Sequence, residues 1–301
     1  MNAVVLSLPG NTALSDALAP QLGAVLGDYT LHRFPDGESY VRIDTPLAGR
    51  QVILVCTLDR PDEKFLLLAF IAATAKQLGA ARVGLVAPYL GYMRQDTRFK
   101  DGEGITAEIF GELLSRAVDW IVTVDPHLHR YHDLREIYSI PSQVVHAAPL
   151  FAHWIQTRIK APLLIGPDSE SLQWVCAVAS AAEAPYLLLE KTRYGDRDVR
   201  ISVPQLERWR GHTPVLVDDI ISTAHTMIET ITHLMRDGLP APVCLGVHAV
   251  LAGNAYADLL AAGASAVVTS NTIAHASNGI DVTPLIVDAV RTLVEPSSAA
   301  T

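Results

Sequence analysis

Cysteine is scarce in this chain: 301 residues hold three, Cys56, Cys176 and Cys244, far apart and with no Cys-x-x-Cys spacing. That excludes a disulfide framework and a thiolate zinc site, and it fits a reducing compartment. Aromatics make up 6% and charged residues 18% against 50% apolar, a balance that supports a sizeable core rather than a disordered chain. Long hydrophobic runs are missing, and no basic stretch leads into an apolar one at the start. Neither a membrane span nor a secretory leader is expected, and the expected location is the cytoplasm. Positive charge is in the minority, with 23 Lys and Arg against 32 Asp and Glu and a net charge of −9 when histidines are neutral. A broad basic footprint for nucleic acid or for an anionic membrane is therefore excluded.

The length suits two domains of roughly 150 residues each. Short runs rich in Val, Ile and Leu recur at residues 3–8, 52–57, 82–88, 120–124, 163–166, 186–189, 215–217, 243–250, 266–269 and 285–287. Each is nearly continuous in apolar residues, as strands covered on both faces are. Amphipathic stretches of helical length lie between them, at 12–22, 62–78, 106–116, 149–157, 171–181 and 226–235. Several begin beside Asn, Asp, Ser or Thr, the residues that cap helix N-termini. The pattern predicts an α/β protein with mainly parallel sheets flanked by helices, divided into domains at 1–144 and 145–301, with the last helix packed on the first domain. Residues 29–43 (YTLHRFPDGESYVRI) break the rhythm, because Pro35-Asp36-Gly37 is a turn signal between two alternating runs and predicts a hairpin. The charged segment 193–200 (RYGDRDVR), which follows a strand and contains a glycine, is expected to be a mobile loop.

The sharpest local motif is residues 215–226, VLVDDIISTAHT. An apolar strand runs into Asp218 and Asp219, then into the small residues Ser222, Thr223 and Ala224 with His225, and then into a helix that begins at Thr226. Backbone N–H groups and the positive end of the helix dipole would face such a loop, which is how a phosphate monoester is held without a lysine. Two carboxylates at the carboxyl end of a strand suit sugar hydroxyls or a divalent cation. An ordinary N-cap with solvated acids gives the same local pattern, and the Asp-Asp pair alone does not decide between them. The segment HLHRYH (His127, His129, His132) suggests zinc at first sight, but it follows a strand and has no obvious fourth ligand.

Six ordered segments carry a resemblance. They are RFPDGESYVRI (33–43), APYLGYMRQDTRF (87–99), VDPH (124–127), GPD (166–168), LEKTR (189–193) and VDDIIST (217–223). Together they resemble the ribose-phosphate diphosphokinases, the phosphoribosyl diphosphate synthetases, over nearly the whole chain, and the LEKTR and IIST forms are most similar to the archaeal branch. The resemblance implies two tandem type I phosphoribosyltransferase-like domains and transfer of a diphosphoryl group from ATP to the 1-hydroxyl of ribose 5-phosphate, releasing AMP. It implies that Phe34, Asp36 and Glu38 reach across to the adenine held by a neighbouring subunit, so that self-association completes the ATP site. It also implies that Arg94, Gln95, Asp96 and His127 bind ATP, that His127 and Asp168 lie at a magnesium ion, and that Asp218, Asp219, Ser222, Thr223, Ala224, His225 and Thr226 hold ribose 5-phosphate. Lys191 and Arg193 match the pair of catalytic cations.

Three departures from the family pattern stand out. Ala224-His225 replaces small residues and a glycine in the phosphate loop, Ser169-Glu170-Ser171 replaces a glycine-containing loop, and Thr57-Leu58-Asp59-Arg60 lacks the usual polar pattern. His225 would crowd the 5-phosphate or, when protonated, bind it, and Glu170 places an anion near a dianionic group. These departures leave open a paralogue acting on a different phosphosugar. A non-catalytic subunit of a synthetase is a further alternative, which the retained Lys191 and Arg193 argue against.

Overall fold

The structure, a computed structural model, describes residues 2–167, 171–194, 198–202 and 206–294. Two compact units emerge, one holding the chain up to Val145 together with the segment that begins at Thr283, the other running His146–Val282.

The first unit is built in the order β1 (Ala3–Ser7), α1 (Thr12–Leu22), β2 (Val25–Leu26), β3 (Tyr29–Arg33), β4 (Ser39–Ile43), β5 (Gln51–Val55), α2 (Pro61–Gln77), β6 (Arg82–Ala87), α3 (Thr106–Ala117), β7 (Trp120–Val124) and β8 (Ser142–Val145). Six of its strands form a sheet in the order β2-β1-β5-β6-β7-β8, and every neighbour pair is parallel. The strands β3 and β4 stand apart as an antiparallel hairpin.

The second unit runs α4 (Ala148–Arg158), β9 (Pro162–Gly166), α5 (Leu172–Ala182), β10 (Tyr186–Leu188), β11 (Glu190–Tyr194), β12 (Asp198–Ser202), β13 (Thr213–Ile221), α6 (His225–Arg236), β14 (Val243–Ala249), α7 (Ala255–Ala261), β15 (Ala266–Ser270) and β16 (Asn278–Ile280). Its parallel sheet has the order β10-β9-β13-β14-β15-β16, and β11 with β12 forms a separate antiparallel ribbon. Strand for strand this repeats the first sheet, and the two ribbons are inserted at equivalent points. The last helix, α8 (Thr283–Val294), returns to the first unit and packs on α1, β7 and β8. Conversely, α4 follows β8 yet packs on α5 and β16 of the second unit.

The residues explain the architecture. Val4, Val52, Leu85 and Ile121 in the first sheet, and Leu164, Leu216 and Leu245 in the second, are fully buried, because helices on both faces of a parallel sheet leave no strand face wet. Parallel neighbours need long crossovers, which the helices supply. Gly84 on β6 is opposite Trp120 on β7, and the indole fills the space a side chain at 84 would need. Strand order in both units turns around the first strand, which places the carboxyl ends of β5, β6 and β7, and of β13 and β14, where open α/β sheets bind ligands.

Several sequence expectations change. Residues 285–287 lie in α8 and form no strand. Thr283, Ile286, Val287, Ala289, Val290 and Val294 are its buried residues, a helical stripe that a run of three apolar residues does not reveal. The strand expected at 215–217 extends over Thr213–Ile221, so that both carboxylates lie within it. The loop expected over 193–200 has strand backbone on both sides, at Glu190–Tyr194 and Asp198–Ser202. Strands β2, β8, β11, β12 and β16 and helix α7 have no counterpart among the elements expected from the sequence.

Candidate active site

The loop after β13 leads from two carboxylates into the N-terminus of α6. Asp218 and Asp219 are half-buried near the strand's end, and the Asp219 N–H donates to Asp218 Oδ1 at 3.0 Å. The following turn is braced from the next strand's exit: Leu251 N–H donates to the Ile221 carbonyl at 2.7 Å and Ala252 N–H to the Ser222 carbonyl at 3.2 Å. Ala224 caps α6 from a left-handed backbone, φ 60°, and its own side chain has no hydrogen bond to give. The first-turn amides and the helix dipole thus face the loop holding Ser222, Thr223, His225 and Thr226, with Thr223 and His225 exposed.

The equivalent loop of the first unit, between β5 and α2, is closed by side chains of the same unit. Lys64 pairs with Asp59 and donates to the Thr57 carbonyl at 2.9 Å, while the Asn11 amide oxygen accepts the Thr57 N–H at 2.9 Å. The departure seen at residues 57–60 is therefore a loop filled from within.

The first unit places its own candidates in the loops after β6 and β7. Tyr92, φ 64°, and Asp125, φ 32°, both take left-handed backbones just ahead of Arg94 and His127. Non-glycine residues in that region cost about 1–3 kcal/mol and gather where a ligand must be met. Arg94 is exposed. Gln95 is engaged with the start of α3, its carbonyl accepting the Ala107 N–H at 3.2 Å and its side-chain oxygen bonded to the Thr106 hydroxyl at 3.2 Å. Asp96 is buried and takes both the guanidinium and the backbone N–H of Arg130, at 2.5 and 3.1 Å. The His127 ring lies nearly parallel to that of His129, with centroids 6.3 Å apart. At the tip of the β3–β4 hairpin, Phe34, Asp36 and Glu38 are all exposed. The tip closes through Phe34 N–H to the Glu38 carbonyl at 2.8 Å, with Gly37 at φ 93°, a conformation that favours glycine.

Lys191 and Arg193 occupy β11, two positions apart, paired in register with Ile201 and Val199. Asp168 and Glu170 lie outside the described residues. Among the described residues no group of three or more His, Cys, Asp or Glu is arranged to hold a metal ion. Arg130 went unnoticed in the sequence because its partner is distant along the chain and the three histidines around it drew the chemical reading.

This doubled α/β plan and loop define a phosphoribosyltransferase-type fold, and residues 133–285 match the phosphoribosyl transferase domain model. Residues 3–117 match the N-terminal domain of ribose phosphate pyrophosphokinase. A ribose-phosphate pyrophosphokinase of Saccharolobus solfataricus is 35% identical, aligned over 80% of this chain and 82% of its own. That of Methanopyrus kandleri is 32% identical over 96% of this chain and 99% of its own. The crystal structure of phosphoribosylpyrophosphate synthetase from Mycobacterium smegmatis superposes with a TM-score of 0.86, covering 97% of this chain and 99% of that one at 24% identity, which shows the same fold. The chain belongs to the ribose-phosphate pyrophosphokinase family, on its archaeal-type branch.

Proposed function

We propose that the chain makes 5-phospho-ribose 1-diphosphate from ATP and ribose 5-phosphate. The observation that carries this reading is the Asp218-Asp219 pair at the end of β13, directly ahead of the N-terminus of α6, whose capping residue is Ala224 in a left-handed backbone. Ser222, Thr223, Ala224, His225 and Thr226 take the 5-phosphate, and the two carboxylates accept hydrogen bonds from the ribose hydroxyls. Arg94, Gln95, Asp96 and His127 serve ATP. Phe34, Asp36 and Glu38 serve the adenine of a second copy, a ring for stacking beside acceptors for the exocyclic amine, which makes the working unit at least a dimer.

In the reaction the 1-hydroxyl oxygen gives its proton up to solvent and bonds to the β-phosphorus, the bond between that phosphorus and the bridging oxygen of the α-phosphate breaks, and AMP leaves with that oxygen. Negative charge grows on the leaving and equatorial oxygens, and Lys191 and Arg193 neutralise it. The donor set suits magnesium, which binds through few carboxylates and keeps substrate phosphates as ligands. His127 and Asp168 would hold it, and when bound it supplies charge neutralisation on the phosphates. An acidic chain can bind polyanions in this way without a basic surface. No described helix is long and apolar enough to cross a membrane, and we place the enzyme in the cytoplasm.

The test is incubation of purified protein with ATP, ribose 5-phosphate and magnesium, reading AMP and 5-phospho-ribose 1-diphosphate together. Equal yields that vanish on chelation are expected. Absence of AMP release with ribose 5-phosphate would overturn the reading, and release with another pentose phosphate alone would favour the paralogue.

A further inference from the structure

We infer that Arg130 is a second phosphate-binding cation of the nucleotide site and that Asp96 serves it as a positioning residue. The inference rests on the nucleotide role given above to residues 94–96 and His127. Its ground is the asymmetry of the Asp96–Arg130 pair. The Asp96 side chain is 4% exposed and that of Arg130 48%. Ordinary surface pairs of this chain expose both partners, as Arg116 and Glu112 do on α3, at 75% and 65%.

Both Asp96 oxygens are used on one residue, the first on Nη1 at 2.5 Å and the second on the backbone N–H at 3.1 Å. The carboxylate therefore fixes the guanidinium and also the stretch of chain that bears it. A ring contact adds a third restraint: the guanidinium carbon stands 5.4 Å from the centroid of Phe99. A buried carboxylate that lost its partner would be strongly unfavourable, so the fold holds this cation in place whether or not a ligand is present. The planar group stays open to solvent, on the same loop as His127, with most of its N–H donors unused by Asp96. A fixed, planar, half-exposed guanidinium suits the oxygens of a nucleoside triphosphate chain.

The experiment compares the full-length protein with Arg130→Gln, Asp96→Asn, the double variant Asp96→Asn/Arg130→Gln and the control Arg116→Gln. The double variant leaves no unpaired buried carboxylate and so keeps the test open if Arg130→Gln alone folds poorly. For each we would measure KM for ATP, KM for ribose 5-phosphate, kcat and thermal midpoint, and ATP binding by calorimetry. Arg130→Gln and the double variant should weaken ATP about tenfold, the loss of one charge-assisted contact, with KM for ribose 5-phosphate unchanged and the control like the parent. Asp96→Asn should weaken ATP less, since the guanidinium remains but is less firmly held. Unchanged KM for ATP in an active, folded double variant would overturn the inference, and so would a parallel rise in both KM values. A parent that releases no AMP would instead overturn the proposed function, and the calorimetric comparison would still decide the role of Arg130.

Discussion

The Ala224 carbonyl accepts the Ile228 N–H at 2.9 Å and so opens α6, although Ala224 itself sits at φ 60°, ψ 7°. A left-handed backbone costs an L-residue about 1–2 kcal/mol, and glycine avoids that cost but has more freedom to lose on folding, about 0.4–1 kcal/mol. Ala224→Gly should thus leave stability unchanged or raise it by up to about 1.6 kcal/mol. A β-branched residue fits this region worst, and Ala224→Val should lose more than about 1 kcal/mol and raise KM for ribose 5-phosphate. Denaturant unfolding of the two variants checks this, and a valine variant as stable as the parent would refute the strain.

His225 is the first residue of α6 and is exposed. His225→Asp sets stability and binding against each other. A carboxylate in the first turn complements the helix dipole and should stabilise the fold by about 0.3–1 kcal/mol. The same charge repels a phosphate seated on those amides, so KM for ribose 5-phosphate should rise at least about tenfold while KM for ATP stays put. Thermal midpoint and the two KM values together give the answer. A variant that binds ribose 5-phosphate as well as the parent would remove the phosphate from this loop.

Sequence legibility followed how local the physics was. The strand at 120–124 and the helix at 12–22 were read to the residue, the strand as a wholly buried β-branched run and the helix between polar Asn11 and Gly23. The hairpin over 29–43 was legible from its turn residues. Strands β2, β8 and β16 were not, being edge strands of two to four residues, too short to show a period of their own. In α8, three consecutive apolar residues imitated a strand, and only the tertiary contact with α1 reveals its buried stripe. The Asp218-Asp219 loop was visible because strand, acids and helix start are contiguous. The Asp96–Arg130 pair was not, because it joins two loops far apart along the chain.

Burial of Cys56 and Cys244 pushes both thiols up to about 12, Cys56 with a smaller opposing effect from Lys64, whereas Cys176 is partly exposed. In the folded protein a thiol reagent at pH 8 should modify Cys176 alone, and all three in denaturant. The sign of the pH dependence follows. The unfolded thiols ionise near 9 and the folded ones near 12, so this contribution to stability is fully present below pH 9 and is lost as pH rises towards 12. Urea midpoints should fall over that range and fall less in a Cys56→Ala/Cys244→Ala variant. Equal reaction rates for all three thiols in the folded protein would contradict the burial.

Lys191 and Arg193 lie on the β11–β12 ribbon, outside the six-stranded sheet of the second unit. Lys191→Ala should therefore lower kcat at least about a hundredfold, the scale for removing one charge that stabilises a transition state, with little change in thermal midpoint. Arg193→Ala should behave alike, and the double variant should lose less than the product of the single losses if both act on the same developing charge. A Lys191→Ala enzyme retaining kcat within about threefold would end the catalytic assignment. The β3–β4 hairpin supplies the contrast, because it is inserted at the equivalent point of the first unit, outside its six-stranded sheet, but carries an aromatic ring and carboxylates at its tip. Phe34→Ala should accordingly raise KM for ATP and spare kcat. One inserted ribbon then acts in binding and the other in the chemical step, a division read directly from which kinetic constant each variant moves.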